Sequence, residues 1–278
     1  MDVAHMSLLE LGEKWSGVGH IRWPYAGEYQ QPQFLRLCYP NVIMRDSAVH
    51  FLGVSDVVEP IEEWKRSKYE VTGREWDYVF RRLFYAGTPN IKDQPLGQWI
   101  EIANFDATAG HIQNNDIWLS LDGTAHLIWC ETSTDARLRE RFFPNQNLVY
   151  SLKYLTICNE KVQECQTLAQ ICDQEDGRRP QSARFHILSD GTLVVLASFV
   201  PNTPTSSQVA VYCLAEISAE STTLNWVDVP LSQPFSGTFL TNTVRGGSAP
   251  SDIIDVVGIS PNKGHTVGYA RIRVDSSR

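Results

Sequence analysis

The feature that most constrains the fold is a strand–turn–strand unit that the chain repeats. Residues 116–129 read as two strands joined by Asp122-Gly123, and residues 184–197 repeat the pattern around Asp190-Gly191. An Asp-Gly pair supplies the positive backbone φ angles that a tight hairpin turn requires. The β-branched and aromatic residues on either side of each turn favour strands. The unit therefore predicts consecutive antiparallel hairpins.

Two weaker copies of this hairpin, residues 39–53 and 252–270, place their turns at Asp46-Ser47 and Asn262-Lys263-Gly264. The four turns recur at intervals of roughly 70 residues, which leaves room for four strands in each interval. Strand-rich repeats of this length are typical of radial β architectures. The sequence therefore predicts an all-β fold, a β-propeller of four-stranded antiparallel blades with four to five blades in this chain.

The repeats predict a single propeller domain over residues 1–278, and its parts follow in order along the chain. Residues 1–38 supply strands that complete a blade, residues 39–106, 107–172 and 173–232 form one blade each, and residues 233–278 form a partial blade. Two interpretations of the partial blade stay open. Strands from both termini close one blade, or the chain is a fragment of a larger propeller.

Three local predictions refine this division. Residues 59–69 begin with a Glu-Pro pair and place acidic residues before basic ones, which suits a short helix. Residues 134–143 are predicted to form a second helix, and both helices fall between the second and third strands of a blade. The outermost strand of the second blade is predicted near residues 161–168.

Composition excludes several function classes. The chain of 278 residues has 24 basic and 32 acidic residues and a net charge of −8, which disfavours binding to nucleic acid. No apolar run is long enough to span a membrane, and the N-terminus shows no secretory signal. The six cysteines lack metal-ligand spacing, so we expect free, mostly buried thiols and no metal site. No cofactor motif is present, so we expect no cofactor. The cellular compartment stays open.

The repeats resemble those of the BNR-type, sialidase-like β-propellers. The resemblance is carried by residues 120–129, Ser-Leu-Asp-Gly-Thr-Ala-His-Leu-Ile-Trp, and by residues 189–195, Ser-Asp-Gly-Thr-Leu-Val-Val. It covers most of residues 39–274 at the level of repeats, and Gly123 comes one residue earlier than the glycine of the family's Asp box. The resemblance implies a propeller fold. It also implies sialidase-type chemistry with an arginine triad, a Tyr/Glu nucleophile and an Asp acid/base.

The predicted topology indicates where a site would form. The first strand of each blade begins at the rim where the second strand ends. The long loops at residues 57–76 and 131–147 lie at the same rim. Function concentrates on such loops over a rigid scaffold. The candidate catalytic residues at this rim are Glu131, Asp56, His111 and Asp116, and the candidate substrate-binding residues are Arg245, Arg178, Asn114, Asn41, Tyr39 and Trp76.

This inventory suits an acidic or polyhydroxylated sugar, because arginines bind carboxylates, amides bind hydroxyls and aromatic rings stack on sugars. One hypothesis is a glycoside hydrolase with a carboxylate pair drawn from the candidate acids or Asp106. A lyase variant would use His111 with a tyrosine or arginine. The other hypothesis is a non-catalytic propeller that binds a glycan or a protein partner at this rim. A fragment without a complete site is the remaining alternative.

Overall fold

The structure, a computed structural model, describes residues 2–202, 209–218, 224–242, 247–260 and 266–275. It is mostly β, with two short helices among the described residues. Its contacts divide the chain into two compact units. The first unit comprises Met1–Asn114 and Ser133–Gln146, and the second comprises Asn115–Thr132 and Asn147–Arg278. The division into blades of one domain stays a prediction.

The first unit begins with small antiparallel pairs. They are the hairpin of β1 (Val3–Leu8) and β2 (Ser16–Arg22), followed by the short pair of β3 (Tyr25–Ala26) and β4 (Gln33–Phe34). The apolar side chains of the β1–β2 hairpin pack with residues of the large sheet that follows, around Ile21 and Val49. Burial of this apolar surface holds the hairpin in the first unit.

The large sheet of the first unit has four strands in the order β10-β9-β6-β5. The strands are β5 (Leu37–Arg45), β6 (Ala48–Ser55), β9 (Arg82–Thr88) and β10 (Ile100–Asn104), and the short pair β7 (Val57–Val58) and β8 (Tyr78–Val79) lies between β6 and β9 in the chain. The turn between β5 and β6 contains Asp46, whose φ is +53°, as the hairpin pattern predicts.

Both predicted helices are confirmed. Helix α1 (Glu62–Thr72) begins shortly after Pro60 with two acidic residues in its first turn, and it ends at Gly73, whose φ is +66°. Helix α2 (Ala136–Phe142) begins after Asp135, whose carboxylate accepts a hydrogen bond from the backbone N–H of Arg137. The Asp135 carboxylate satisfies a free N–H group of α2, and the acidic residues in the first turn of α1 interact favourably with the positive end of the helix dipole.

The second unit contains two larger sheets and a three-stranded one. The first sheet contains β11 (His111–Leu119), β12 (Ala125–Thr132), β13 (Val149–Cys158), β14 (Lys161–Val162) and β15 (Gln166–Cys172). The second sheet contains β16 (Arg178–Ile187), β17 (Leu193–Pro201), β18 (Val211–Glu216) and β19 (Val227–Val229). The third sheet contains β20 (Phe239–Thr241), β21 (Ile253–Ile259) and β22 (Val267–Arg273). The first four residues of β11 belong to the first unit.

Two details of these sheets differ from the sequence prediction. The outer strand predicted near residues 161–168 is wrong in its bounds, because the chain breaks after Val162 and the main outer strand is β15. In the last sheet, β21 pairs with β20 as well as with β22, so it is a central strand and not the first strand of its blade. The predicted turn at Asn262-Lys263-Gly264 lies outside the described residues.

Consecutive sheets of the second unit share apolar cores. One cluster joins side chains of β12 and β13 to those of β16 and β17 around Phe185, and another joins β17 and β18 to β20 and β21 around Tyr212. The predicted hairpin turns are present, with Gly123 at a φ of +84° and Gly191 at +89°. Strand β21 alternates buried and more exposed residues, as a sheet with one packed face requires, whereas β17 is buried along nearly its whole length because both of its faces are covered.

The six cysteines are free thiols, as predicted. The expectation that most are buried is wrong, because only Cys130 and Cys213 are buried, while Cys165 is exposed in the segment between β14 and β15. Apolar alternation identifies thiols on strands, but it does not report the exposure of a thiol in a connecting segment.

Candidate functional site

Strand β5 opens with a bulge that presents Tyr39 to solvent. Cys38 pairs with Val54 and Asn41 pairs with Leu52, so two residues of β5 stand opposite one position of β6. Tyr39 has a φ of +50° and is 71% exposed. The left-handed region costs a bulky residue roughly 1–2 kcal/mol. Such strain is concentrated at functional sites, where it positions a side chain.

The side chain of Asn114, in β11, holds this bulge. Its Nδ2 atom donates to the Tyr39 carbonyl at 2.5 Å and to Oδ1 of Asn41 at 2.8 Å, and it lies 3.4 Å from the Leu52 carbonyl. Asn41 is buried. The amide of Asn114 therefore joins the beginning of β11 to the bulge and fixes the backbone that carries the Tyr39 ring.

His111 stands near the same bulge through an aromatic contact. The Phe80 ring meets the Tyr39 ring at a centroid distance of 5.7 Å and the His111 ring at 5.6 Å, both edge to face. Desolvation by the surrounding protein lowers the pKa of His111. The Asp135 carboxylate raises this pKa, and the positive charge of Arg137 lowers it. This shift favours the neutral form of the imidazole.

We call Tyr39, Asn41, His111 and Asn114 the Tyr39 ledge. The structure brings together these four of the ten site residues predicted from the sequence. Phe80, which links two of them, was not among the candidates. Sheet topology indicated that the beginnings of β5 and β11 would meet, and the structure adds the amide contact that joins them.

A buried charge network anchors helix α1 in the first unit. Glu59 is fully buried, and its carboxylate accepts two bonds from Arg81, at 2.8 and 2.5 Å, and pairs with Lys68 Nζ at 2.6 Å. The Arg81 guanidinium lies 5.0 Å from the centroid of the Trp64 ring. Buried charges are tolerated only when paired in this way. The network fixes the helix that follows β7.

A pair of carboxylates extends this network toward solvent. Asp77 Oδ2 accepts from Lys68 Nζ at 2.5 Å, and the Arg137 guanidinium binds both Asp77 and Asp135. Because Oδ2 of Asp77 and Oδ2 of Asp135 lie 3.3 and 2.6 Å from the same Arg137 Nη2 atom, they are at most about 6 Å apart, which is within the range of glycosidase carboxyl pairs. Their separation alone would allow such a role.

The charges around this pair keep both acids ionised. Partial burial opposes ionisation of Asp77, but the Lys68 ammonium and the Arg137 guanidinium outweigh it and lower the pKa of Asp77. Partial burial also opposes ionisation of Asp135, and its hydrogen bonds from Arg137 lower its pKa overall. Neither carboxyl group can therefore serve as the protonated acid that glycoside hydrolysis requires near neutral pH.

The other predicted residues of the first unit lie in separate surroundings. Asp56 pairs with the Arg36 guanidinium and accepts a bond from the Cys38 thiol at 2.9 Å. Trp76 is 70% exposed and precedes Asp77 in the chain. Within the described part of the chain, neither Asp56 nor Trp76 has a hydrogen bond or ring contact with the ledge. Asp106 accepts bonds from the Tyr29 hydroxyl, and burial raises its pKa.

The candidates of the second unit are dispersed. Asp116 is buried in β11, where Oδ2 accepts from the Phe185 backbone N–H at 2.9 Å. Glu131 accepts from Trp129 Nε1 at 2.7 Å, and burial raises its pKa. Arg178 pairs with Asp228 at 3.2 Å, and both side chains are exposed. Arg245 lies outside the described residues.

Two further observations concern metal-binding clusters and membrane-spanning helices. Among the described residues, no cluster of three His, Cys, Asp or Glu side chains has the proximity to hold a metal ion. The described part of the chain also has no helix that is long and apolar enough to cross a membrane.

The fold has a relative among solved structures. The α-L-arabinanase of Penicillium chrysogenum, solved with arabinobiose, matches 98% of this chain and 68% of its own length, with a TM-score of 0.53 and 11% identity. The chain shares the fold of a β-propeller glycosidase. At this identity, the likeness concerns the fold alone.

Two other solved structures match with lower scores. The endo-arabinase of Bacteroides thetaiotaomicron covers 94% of this chain and 82% of its own, with a TM-score of 0.44 and 11% identity. The Trypanosoma rangeli sialidase, solved with the inhibitor DANA, matches 86% of this chain and 39% of its own length, with a TM-score of 0.43 and 10% identity. No protein-family model and no curated protein sequence matches the chain, so membership of the BNR family is not confirmed.

Proposed function

We propose that this chain is a carbohydrate-active protein of the propeller-glycosidase fold class, and that the Tyr39 ledge binds a polyhydroxylated sugar. The observation that carries the proposal is the exposed ring of Tyr39, whose backbone is strained and is held by the side chains of Asn41 and Asn114. An exposed ring offers a stacking face for the C–H surface of a sugar, and the two amides hold the backbone that presents this ring.

The charges of the first unit favour a neutral sugar over an acidic one. Lys68 and Arg137 are both engaged by carboxylates, and Arg81 is neutralised by Glu59. An acidic sugar would have to displace one of these ion pairs at a cost of desolvation. Neutral hydroxyls bind without that cost.

Calorimetric titration with neutral, sialylated and uronate-containing oligosaccharides tests this proposal. We expect neutral oligosaccharides to bind, and Asn114→Ala to weaken binding by about tenfold, because the loss of its hydrogen bonds releases the Tyr39 backbone. The matched control is Asn202→Ala, since Asn202 Nδ2 also donates to two carbonyls, those of Cys172 and Glu175, in the second unit. Equal affinity of the two variants would contradict the proposal.

Recognition is favoured over hydrolysis by the state of the carboxylates. The pair of Asp77 and Asp135 has a suitable separation, but cations hold both groups ionised. The lyase alternative is supported less well, because Phe80 contacts both the Tyr39 and His111 rings and no hydrogen bond joins these two residues in the described structure.

Glycoside hydrolysis is the second candidate, and the observation that favours it is the partly buried Glu131, where burial raises the pKa of the carboxyl group against the opposing effects of Trp129 and Lys153. Reducing-end release from the same oligosaccharide panel tests it. Turnover that disappears in Glu131→Gln would identify a hydrolase and its acid. Binding without turnover in the unmodified chain would leave recognition as the function.

We also infer that the sheets are blades of one propeller domain, with four to five blades in this chain. The support is the face-to-face packing of consecutive sheets within the second unit and the match of the arabinanase over nearly the whole chain. A single domain predicts coincident urea-unfolding curves for probes in the two units. Two separated transitions would indicate two domains.

A further inference from the structure

An apolar cavity of about 190 Å³ lies in the first unit, under the β1–β2 hairpin. Its lining residues come from two core clusters, with Leu37 and Trp23 in one and Ile21 and Leu96 in the other. Most of the wall is hydrocarbon or aromatic ring, and His5 is the polar side chain in the lining. An empty cavity of this size is unfavourable, because its walls lose dispersion contacts.

Two tryptophans form one wall of this cavity and differ in their hydrogen bonding. The Trp23 and Trp99 rings are stacked with a centroid distance of 6.2 Å and an interplanar angle of 26°. Trp99 Nε1 donates to the Arg22 carbonyl at 2.9 Å. Trp23 Nε1 is buried and has no acceptor among the described residues. A buried donor without a partner destabilises the folded chain, so the unpartnered N–H group of Trp23 requires an explanation.

The size and polarity of the cavity restrict its ligand. Cavities of about 150 Å³ with apolar walls bind molecules the size of benzene and stay free of water. A charged molecule would lose its hydration without gaining a paired charge among these walls. A flat, uncharged ring fits beside stacked indoles, and one acceptor atom on it would satisfy the Trp23 donor.

We propose that this cavity is a binding site for a small, uncharged aromatic molecule with one hydrogen-bond acceptor, which accepts from Trp23 Nε1. The cavity shares no residue with the Tyr39 ledge, although Pro40 of the same bulge belongs to its lining, and the proposal does not depend on the proposed sugar binding. Ligand binding here would stabilise the docking of the β1–β2 hairpin, because the ligand would contact residues of the hairpin and of the large sheet.

The test uses the full chain with ¹⁵N-labelled indoles and two probes of similar shape. Acetophenone carries a carbonyl acceptor, and ethylbenzene does not. We expect acetophenone to move one indole N–H resonance downfield, and that resonance to be missing from the spectrum of Trp23→Phe. We expect acetophenone to bind the unmodified chain about fivefold more tightly than Trp23→Phe, with ethylbenzene binding both equally within a factor of about two.

Trp99→Phe is the matched control, because it removes an indole N–H that already has an acceptor in the same wall. It should change the affinities of the two probes by the same factor. The proposal is overturned if acetophenone shifts no indole N–H resonance of the unmodified chain up to its solubility limit. It is also overturned if Trp23→Phe changes the affinities of acetophenone and ethylbenzene by the same factor. The first of these results is obtained on the unmodified chain, so it holds even if a variant fails to fold.

Discussion

Replacing Glu59 by glutamine should destabilise the protein more than any exposed charge change of the same kind. The substitution removes the negative charge that pairs with Lys68 at 2.6 Å and with Arg81 at 2.5 Å, while all three side chains stay at most 1% exposed. Breaking a buried ion pair from one side costs about 3–5 kcal/mol, because an uncompensated charge stays buried. For a chain of this length, that loss lowers Tm by roughly 6–15 °C.

Thermal unfolding at pH 7, followed by near-UV circular dichroism, measures this loss. The matched control is Glu10→Gln, which breaks the Glu10–Lys92 pair on the surface of the same unit, where the side chains are 49% and 44% exposed. Exposed pairs contribute about 0–1 kcal/mol, so this variant should unfold close to the unmodified chain. If the two variants lost equal stability, the buried network would not be what anchors helix α1.

Three further predictions concern protonation, thiol reactivity and backbone packing. Burial lowers the pKa of His50 to about 4, so between about pH 6.5 and pH 4 the unfolded chain binds a proton that the folded chain does not, and stability falls as the pH is lowered through this window. Urea unfolding at pH 7 and pH 4.5 should show this loss, on the order of 2 kcal/mol, and His50→Gln should show a smaller one. Native alkylation followed by mass spectrometry should label Cys165 first and leave Cys130 unmodified, since burial raises the pKa of the Cys130 thiol to about 12; early labelling of Cys130 would show that its strand opens readily. Gly87→Ala should lower Tm, because the added Cβ would lie 2.6 Å from His50 Nδ1, and an unchanged Tm would show that the imidazole moves aside freely.

The hairpins and both helices could be predicted from the sequence because each depends on local signals. Asp-Gly turns fix the hairpin positions, and an early proline with acidic residues before basic ones marks helix α1. The strand bounds failed where the local pattern is discontinuous, at the break between Val162 and Gln166. There the outer strand is defined by its pairing with β13, which the sequence does not display.

Part of the candidate site could likewise be predicted from the sequence, and part of it could not. The meeting of Asn41 and Asn114 could be predicted, because the repeat pattern places the beginnings of the first strands of different blades at one rim. The buried network could not, since Glu59, Lys68 and Arg81 are charged residues that usually lie at the surface. Their burial results from contacts between residues 22 positions apart, Glu59 and Arg81, and no local pattern signals it.

The sequence also could not separate structural from chemical carboxylates. Asp116 lies inside β11 and accepts backbone N–H groups in the sheet, whereas Asp77 directly precedes β8 and pairs with cations near solvent. Hydrogen-bond partners and burial, rather than position along the strand, distinguish these roles.

The most direct test of the account is calorimetric titration of Tyr39→Gly with the neutral oligosaccharide that binds the unmodified chain best. Glycine adopts the φ of +50° without strain, so the fold should keep its stability while the stacking face is lost. We expect an unchanged or slightly higher Tm and a loss of affinity of about fivefold or more, since stacking on an aromatic ring is worth about 1 kcal/mol or more. Unchanged affinity in the folded variant would contradict the claim that the Tyr39 ledge binds carbohydrate.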